Sequence, residues 1–140
     1  MSEPRWLTRL QVDVFHDQEV LRRGGFGGVR DSGAIESALA RPQQKWAYGE
    51  PSTSELAAAY GFGLAKNDGY LDGKKRVAFM AIYVFLGLNG YTIRRPEPEI
   101  VLVMTRVASG EWSEEEFATW IEDASEPRSP EGDQDEPENS

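Results

Sequence analysis

Residues 74–89, KKRVAFMAIYVFLGLN, constrain the fold of this chain more than any other stretch. Val77, Met80, Ala81, Val84, Phe85 and Leu88 recur at helical spacing, and Phe79, Ile82, Tyr83 and Leu86 fill the opposite side. A helix that is apolar all round has to sit inside a globule. Its apolar run, Val77 to Leu88, falls short of the roughly 20 residues a bilayer span needs, so other elements of the protein must cover it. Asn89-Gly90 then stops the helix, because glycine accepts the left-handed backbone that closes a last turn.

Five further stretches are expected to supply that cover as helices. Residues 11–23 present Val12, Val14, Phe15, Val20 and Leu21. Residues 31–40 start at Asp31 or Ser32 as a cap, with Ile35, Ala38 and Leu39 as the apolar face. Arg41-Pro42 is expected to end this helix, since the residue before proline is pushed out of the helical region. Residues 43–52 are then a loop holding Lys45, Trp46 and Tyr48. Residues 54–66 are capped by Ser54, and Gly61 and Gly63, each costing about 1 kcal/mol relative to alanine, are expected to admit a close neighbour. A helix from Pro96 or Pro98 carries Ile100, Val103, Met104 and Val107. The Ser113–Glu116 capping box opens the last helix, 114–123, with Phe117, Trp120 and Ile121. The fold class is therefore all-α: about six helices around the buried 74–89 segment, in one domain over residues 1–124. Residues 125–140, SEPRSPEGDQDEPENS, lack large apolar side chains and are expected to be a disordered acidic tail.

Charge narrows the functions. The formal net charge is -9, from 24 acidic and 15 basic residues. Eleven of those acids follow Ser113, against one base, Arg128, so the body is nearly balanced. A pI near 4.6 and no basic recognition face argue against direct nucleic-acid binding and a DNA-binding regulator. No cysteine is present, which removes disulfides, thiol catalysis and thiolate zinc sites, and a single histidine, His16, removes multi-histidine metal sites. His16 on an apolar helix face reads as a packed scaffold side chain. The start, MSEPRWLTRL, lacks the apolar core of a signal peptide, so a cytoplasmic protein without a membrane partner is expected.

The chemistry points to Asn67–Arg76, NDGYLDGKKR. Here a glycine-containing loop runs into the start of the buried helix. Free backbone N–H groups and the positive end of the helix dipole suit an anion. Lys74, Lys75 and Arg76 place three cations in that first turn, where each opposes the dipole by a few tenths of a kcal/mol. Local rules are broken most often at functional sites, and a phosphate would remove this conflict. The spacing is not that of a P-loop.

The same segment resembles the signature loop of the Fic/Doc family, and its death-on-curing branch in particular, whose pattern is roughly H-x-F-x-D-[AG]-N-[KG]-R before a buried helix. Residues 14–22, with His16 and Asp17, resemble that branch's first helix. Residues 30–42, RDSGAIESALARP, resemble its R-D-x-G-x-[LI]-E-S-A-x-x-R-P segment. Residues 56–67 and 85–91, LAAAYGFGLAKN and FLGLNGY, extend the likeness in order over about residues 10–108.

The resemblance implies an all-helical fold with a small hairpin flap, for which Trp46 and Tyr48 stand in the right place. It implies transfer of a phosphate-containing group from ATP to a protein hydroxyl, and in this branch a toxin with a cognate antitoxin, acting on a translation elongation factor. By the same likeness Asp72 matches the carboxylate that holds Mg²⁺, Gly73 the small residue of the anion hole, Lys75 and Arg76 the phosphate contacts, and Tyr70 the buried aromatic. Two positions depart. Asp68 stands where the family has its catalytic histidine, and Lys74 where it has asparagine. Near Lys66, Lys74 and Arg76 a carboxylate is a weak base, because cations favour its ionised form. The expected function is a death-on-curing type toxin with impaired transfer of phosphate or AMP. The alternative is a catalytically inactive relative that binds nucleotide or antitoxin. Asp31 and Glu36 are expected as capping and hydrogen-bonding residues, with Arg30 and Arg41 as their partners.

Overall fold

The structure, a computed structural model, describes residues 2–25, 27–67, 69–70 and 73–129. Six helices follow in chain order: α1 (Arg9–Arg23), α2 (Ser32–Ala47), α3 (Thr53–Lys66), α4 (Lys74–Leu88), α5 (Glu97–Ser109) and α6 (Glu114–Ala124). Strand β1 (Tyr91–Ile93) lies between α4 and α5, and β2 (Ser125–Pro127) follows α6. The two strands pair antiparallel, Tyr91 opposite Pro127 and Ile93 opposite Ser125.

Side-chain oxygens start four of the helices. Thr8, Ser52 and Ser113 form capping boxes with Gln11, Glu55 and Glu116, and Asp31 accepts from the Ala34 amide. The cap of α3 is thus Ser52, two residues before the Ser54 expected, because Glu55 reaches back to it. No helix among the described residues is long and apolar enough to cross a membrane.

The centre is shared by two helices. Nine of the 14 residues of α3 are buried, whereas α4 buries one stripe, Val77, Ala78, Ala81, Ile82, Phe85 and Leu86, and leaves Tyr83 45% exposed. Small side chains put α3 in the middle: it packs against α2, α4, α5 and α6. A Cβ on Gly61 would lie 2.4 Å from Ile82 Cδ1 of α4 and 2.9 Å from Phe117 Cε2 of α6, so only glycine allows both neighbours this close.

Two expectations about the periphery change. The helix predicted to end at Arg41 continues through Pro42 to Ala47. Pro42 deprives the Ala38 carbonyl of its donor, but the ring is buried, and the extra turns bring Trp46 edge-on to Trp6 at 6.5 Å. The first half of the stretch expected to form a loop, residues 43–47, is therefore helix. At the other end, Ser125–Pro127, expected as the first residues of a disordered tail, pair with β1 instead, because the backbone groups of Tyr91–Ile93 offer a ready edge. Residues 130–140 lie outside the described residues.

Candidate functional site

Helix α4 begins at Gly73, in the left-handed region at φ +77°, where a side chain would be strained. Gly73 has no side chain to cap the amides that follow, and the first turn holds no acid. The Val77 amide bonds the Gly73 carbonyl at 3.0 Å, and among the described residues the amides of Lys75 and Arg76 have no acceptor. Lys75 and Arg76 are exposed, and Lys75 makes no ion pair among the described residues. This is the arrangement the sequence suggested: Gly73, Lys74, Lys75 and Arg76 meet at one helix end. Asp68 and Asp72, the expected base and metal ligand, lie outside the described residues.

Glu19 is the site residue that the sequence did not reveal. It comes from α1, with its carboxylate 12% exposed, and its Oε1 lies 3.6 Å from Arg76 Nε and 3.5 Å from Arg23 Nε. Oε1 is buried and has no hydrogen bond. The Arg23 contact is four residues along one helix and visible in sequence; the Arg76 contact joins two helices and is not. Arg76 is thereby shared between solvent and a buried carboxylate, which an incoming phosphate would have to compete with or tolerate.

The loop before α4 is held from two sides. Its Gly69 carbonyl accepts from the amides of Arg30 at 2.8 Å and Asp31 at 3.1 Å. Asn67 donates Nδ2 to the Ala34 carbonyl at 2.9 Å and accepts the Gly69 amide at 3.1 Å. Tyr70 is buried, donates its hydroxyl to Asp13 Oδ1 at 2.7 Å and stacks on His16 with ring centroids 4.2 Å apart. Burial, then the Asp13 contact, pushes the Tyr70 hydroxyl far above the usual tyrosine range, so it stays a donor. His16 is accordingly a packed scaffold residue, 2% exposed.

Other expected partners are redistributed. Glu36 and Asp13 are both held by Arg9, and Arg41 and Lys45 both pair with Glu114 of α6. Trp46 reaches Phe85 by way of Trp6, which stacks on Phe85 at 6.1 Å. Phe85 stands twelve residues beyond Gly73, roughly 18 Å along the helix. Trp46 therefore covers the far end of α4 and is not a flap over the site. Tyr48, 90% exposed, caps the end of α2. Trp120 serves the scaffold, donating Nε1 to Glu99 at 2.9 Å.

A family model described as the Fic/DOC family matches residues 4–86, a span that includes Asp13, Glu19, Tyr70 and the whole start of α4. The chain is similar to "Protein kinase doc" of Escherichia phage P1, 30% identical over 110 residues, which cover 78% of this chain and 86% of that protein. It is also similar to "Toxin Doc" of Mycolicibacterium smegmatis, 42% identical over 81 residues, which cover 52% of this chain and 62% of that protein.

Proposed function

The chain belongs to the Fic/DOC family, and from that premise we propose that it is a death-on-curing type toxin of a toxin–antitoxin module, acting in the cytoplasm, that binds ATP at the start of α4 and is impaired in transfer. The observation that carries this reading is the uncapped N-terminus of α4 with Lys75 and Arg76 exposed beside it. Lys75 and Arg76, with backbone amides that have no acceptor among the described residues, favour a polyphosphate in that place.

Magnesium fits this reading through the nucleotide. Among the described residues no three acidic or histidine side chains gather around one point. Magnesium bound with a nucleotide needs only one or two protein carboxylates beside phosphate oxygens, and Asp72, next to Gly73 in sequence, is the carboxylate assigned to it. When bound, the ion neutralises phosphate charge. Gly73, Lys74, Lys75 and Arg76 hold and orient the phosphates.

In the transfer step a hydroxyl oxygen of a translation factor forms a bond to phosphorus, the phosphorus–oxygen bond to the leaving ADP breaks, and the hydroxyl proton goes to a base. AMP transfer differs only in attack at the α-phosphorus with pyrophosphate leaving. By the family pattern Asp68 stands at the base position. An aspartate does this work in protein kinases, but a carboxylate close in sequence to Lys66, Lys74 and Arg76 is favoured in its ionised form by those cations and is a weaker base than the family's histidine. The same substitution, with Lys74 in place of asparagine, favours a second reading: a catalytically inactive relative that binds nucleotide or a cognate antitoxin.

The test is transfer from ATP labelled at the γ or the α position into lysate protein, with magnesium, by the wild-type chain and by Asp68→His. Asp68→His is expected to label strongly and the wild type weakly or not at all, with the position of the label reporting phosphate or AMP. Silence from both, with ATP bound, selects the binding module. Silence from both with no ATP bound overturns the nucleotide reading.

A further inference from the structure

Tyr70 stands where the family pattern carries phenylalanine, three residues before the Gly73 cap. The hydroxyl is its whole difference from phenylalanine, and that hydroxyl reaches Asp13 of α1 at 2.7 Å. We propose that Asp13 is a positioning residue for the phosphate site: through Tyr70 it fixes the loop from which α4 starts. The inference deepens the nucleotide reading above and rests on it.

The argument starts with the strength of the contact. A hydroxyl bonded to a carboxylate is charge-assisted, and with Tyr70 4% exposed, water does not replace it freely. Removing Asp13 leaves the buried Tyr70 hydroxyl without its acceptor, whereas removing the hydroxyl leaves Asp13 held by Arg9 alone. Asp13 is itself fixed. Arg9 Nε lies 3.1 Å from both of its oxygens, and Arg9 Nη1 reaches Ser32 Oγ at 2.8 Å and Glu36 Oε2 at 2.7 Å on α2. One turn along α1, His16 closes on the face of the Tyr70 ring.

The opposite side of the loop is equally close. Arg30 and Asp31 bond the Gly69 carbonyl, and a Cβ on Gly69 would sit 2.4 Å from Ile35 Cγ1. The segment Asn67, Gly69, Tyr70 is therefore wedged between α1 and the start of α2, and Arg9 ties those two helices together behind it. Three residues in sequence separate Tyr70 from Gly73, so the loop is anchored within a short length of chain from the amides proposed to bind phosphate.

A matched control exists in the same molecule. Tyr60 is also buried and also donates or accepts through one hydroxyl bond, accepting the Leu7 amide at 3.0 Å, but it supports the N-terminal arm rather than the site.

The experiment measures Mg·ATP affinity by calorimetry, thermal melting, and hydrogen exchange of the Arg30, Asp31 and Val77 amides, whose acceptors are the Gly69 and Gly73 carbonyls. Wild type is compared with Tyr70→Phe, Asp13→Ala, Asp13→Asn and Tyr60→Phe. Tyr70→Phe and Asp13→Ala are expected to weaken ATP binding about tenfold or more and to speed exchange at those amides. Asp13→Asn, which keeps an acceptor for Tyr70, is expected to stay within about threefold of wild type. Tyr60→Phe is expected to lower the melting temperature yet leave affinity and exchange unchanged.

The proposal is overturned if Tyr70→Phe leaves both affinity and exchange at wild-type values, if Tyr60→Phe weakens ATP binding equally, or if Asp13→Asn fails as fully as Asp13→Ala. Should the wild type bind no Mg·ATP, the nucleotide reading fails and exchange alone decides: faster exchange confined to Tyr70→Phe and Asp13→Ala sustains the loop clamp, and unchanged exchange removes it.

Discussion

The two ends of α4 are treated in opposite ways. At the C-terminal end the last carbonyls are met by the chain's own donors. Asn89 Nδ2 bonds the Phe85 carbonyl at 2.8 Å, the Asn89 amide bonds Leu86 at 3.0 Å, and Arg128 Nη1 bonds the Gly87 carbonyl at 3.0 Å. That places a cation at the negative end of the helix dipole, where it stabilises. At the N-terminal end a glycine replaces the usual capping side chain, and three cations stand at the positive end, where they do not. The same helix is closed at one end by the chain's own donors and, at the end proposed to meet an anion, has cations against the dipole and no capping side chain among the described residues.

The largest effect is expected from removing the exposed cations of the N-terminal end. Lys75→Ala combined with Arg76→Ala should weaken Mg·ATP binding by about 10- to 100-fold, about 1.4 to 2.8 kcal/mol, while the melting temperature changes little, because relief of repulsion with the dipole offsets loss of the Arg76–Glu19 pair. A large loss of stability instead would break the comparison, since these cations would then be structural. Between the two ends, Gly61→Ala should cost about 1–3 kcal/mol in denaturant unfolding, because its Cβ would overlap Ile82 and Phe117. Its effect on the two ends should be equal, which makes it the reference for a loss of packing without a loss of site.

Alkaline pH gives a further test. Burial pushes the Tyr60 hydroxyl up to about 12 and Tyr70 higher still. Both keep their protons in the folded chain as the unfolded chain begins to release them near pH 10. Stability is therefore complete below about pH 10 and falls as pH rises through about 12, by up to about 1.4 kcal/mol per pH unit for each tyrosine. Melting curves between pH 9 and 11 should show this slope reduced by either Tyr60→Phe or Tyr70→Phe and abolished by the pair. The smallest effect belongs to the closed end. Arg128→Ala should cost about 0.5–1.5 kcal/mol, the worth of one hydrogen bond, without changing ATP affinity. A change in ATP affinity there would mean the two ends are coupled.

Much of this molecule was legible in its residues. The six helices follow from apolar spacing, and the Ser113–Glu116 capping box is where the sequence puts it. The close approach at Gly61 and Gly63 follows from small residues at helical spacing on α3. Gathering Gly73 with three cations needed only adjacency in sequence. What stayed hidden depends on pairs distant in the chain. Glu19 meets Arg76 and Tyr70 meets Asp13 across separate helices, and neither pair is marked by any local pattern. The run of α2 through Pro42 was missed for another reason. A local rule about the residue before proline lost to burial of the ring and to the Trp46–Trp6 contact, which only the tertiary structure supplies. Strand β2 was missed because its residues, Ser-Glu-Pro, carry no strand preference, and the pairing is set by the exposed edge of β1.

The most direct test of the account is a calorimetric titration of the wild-type chain with Mg·ATP, repeated with Lys75→Ala/Arg76→Ala at matched ionic strength. The account predicts saturable binding to wild type that weakens by at least about tenfold in the double variant. Saturable binding that the double variant leaves untouched, or no binding to wild type, would contradict the assignment of the open end of α4 as a phosphate site.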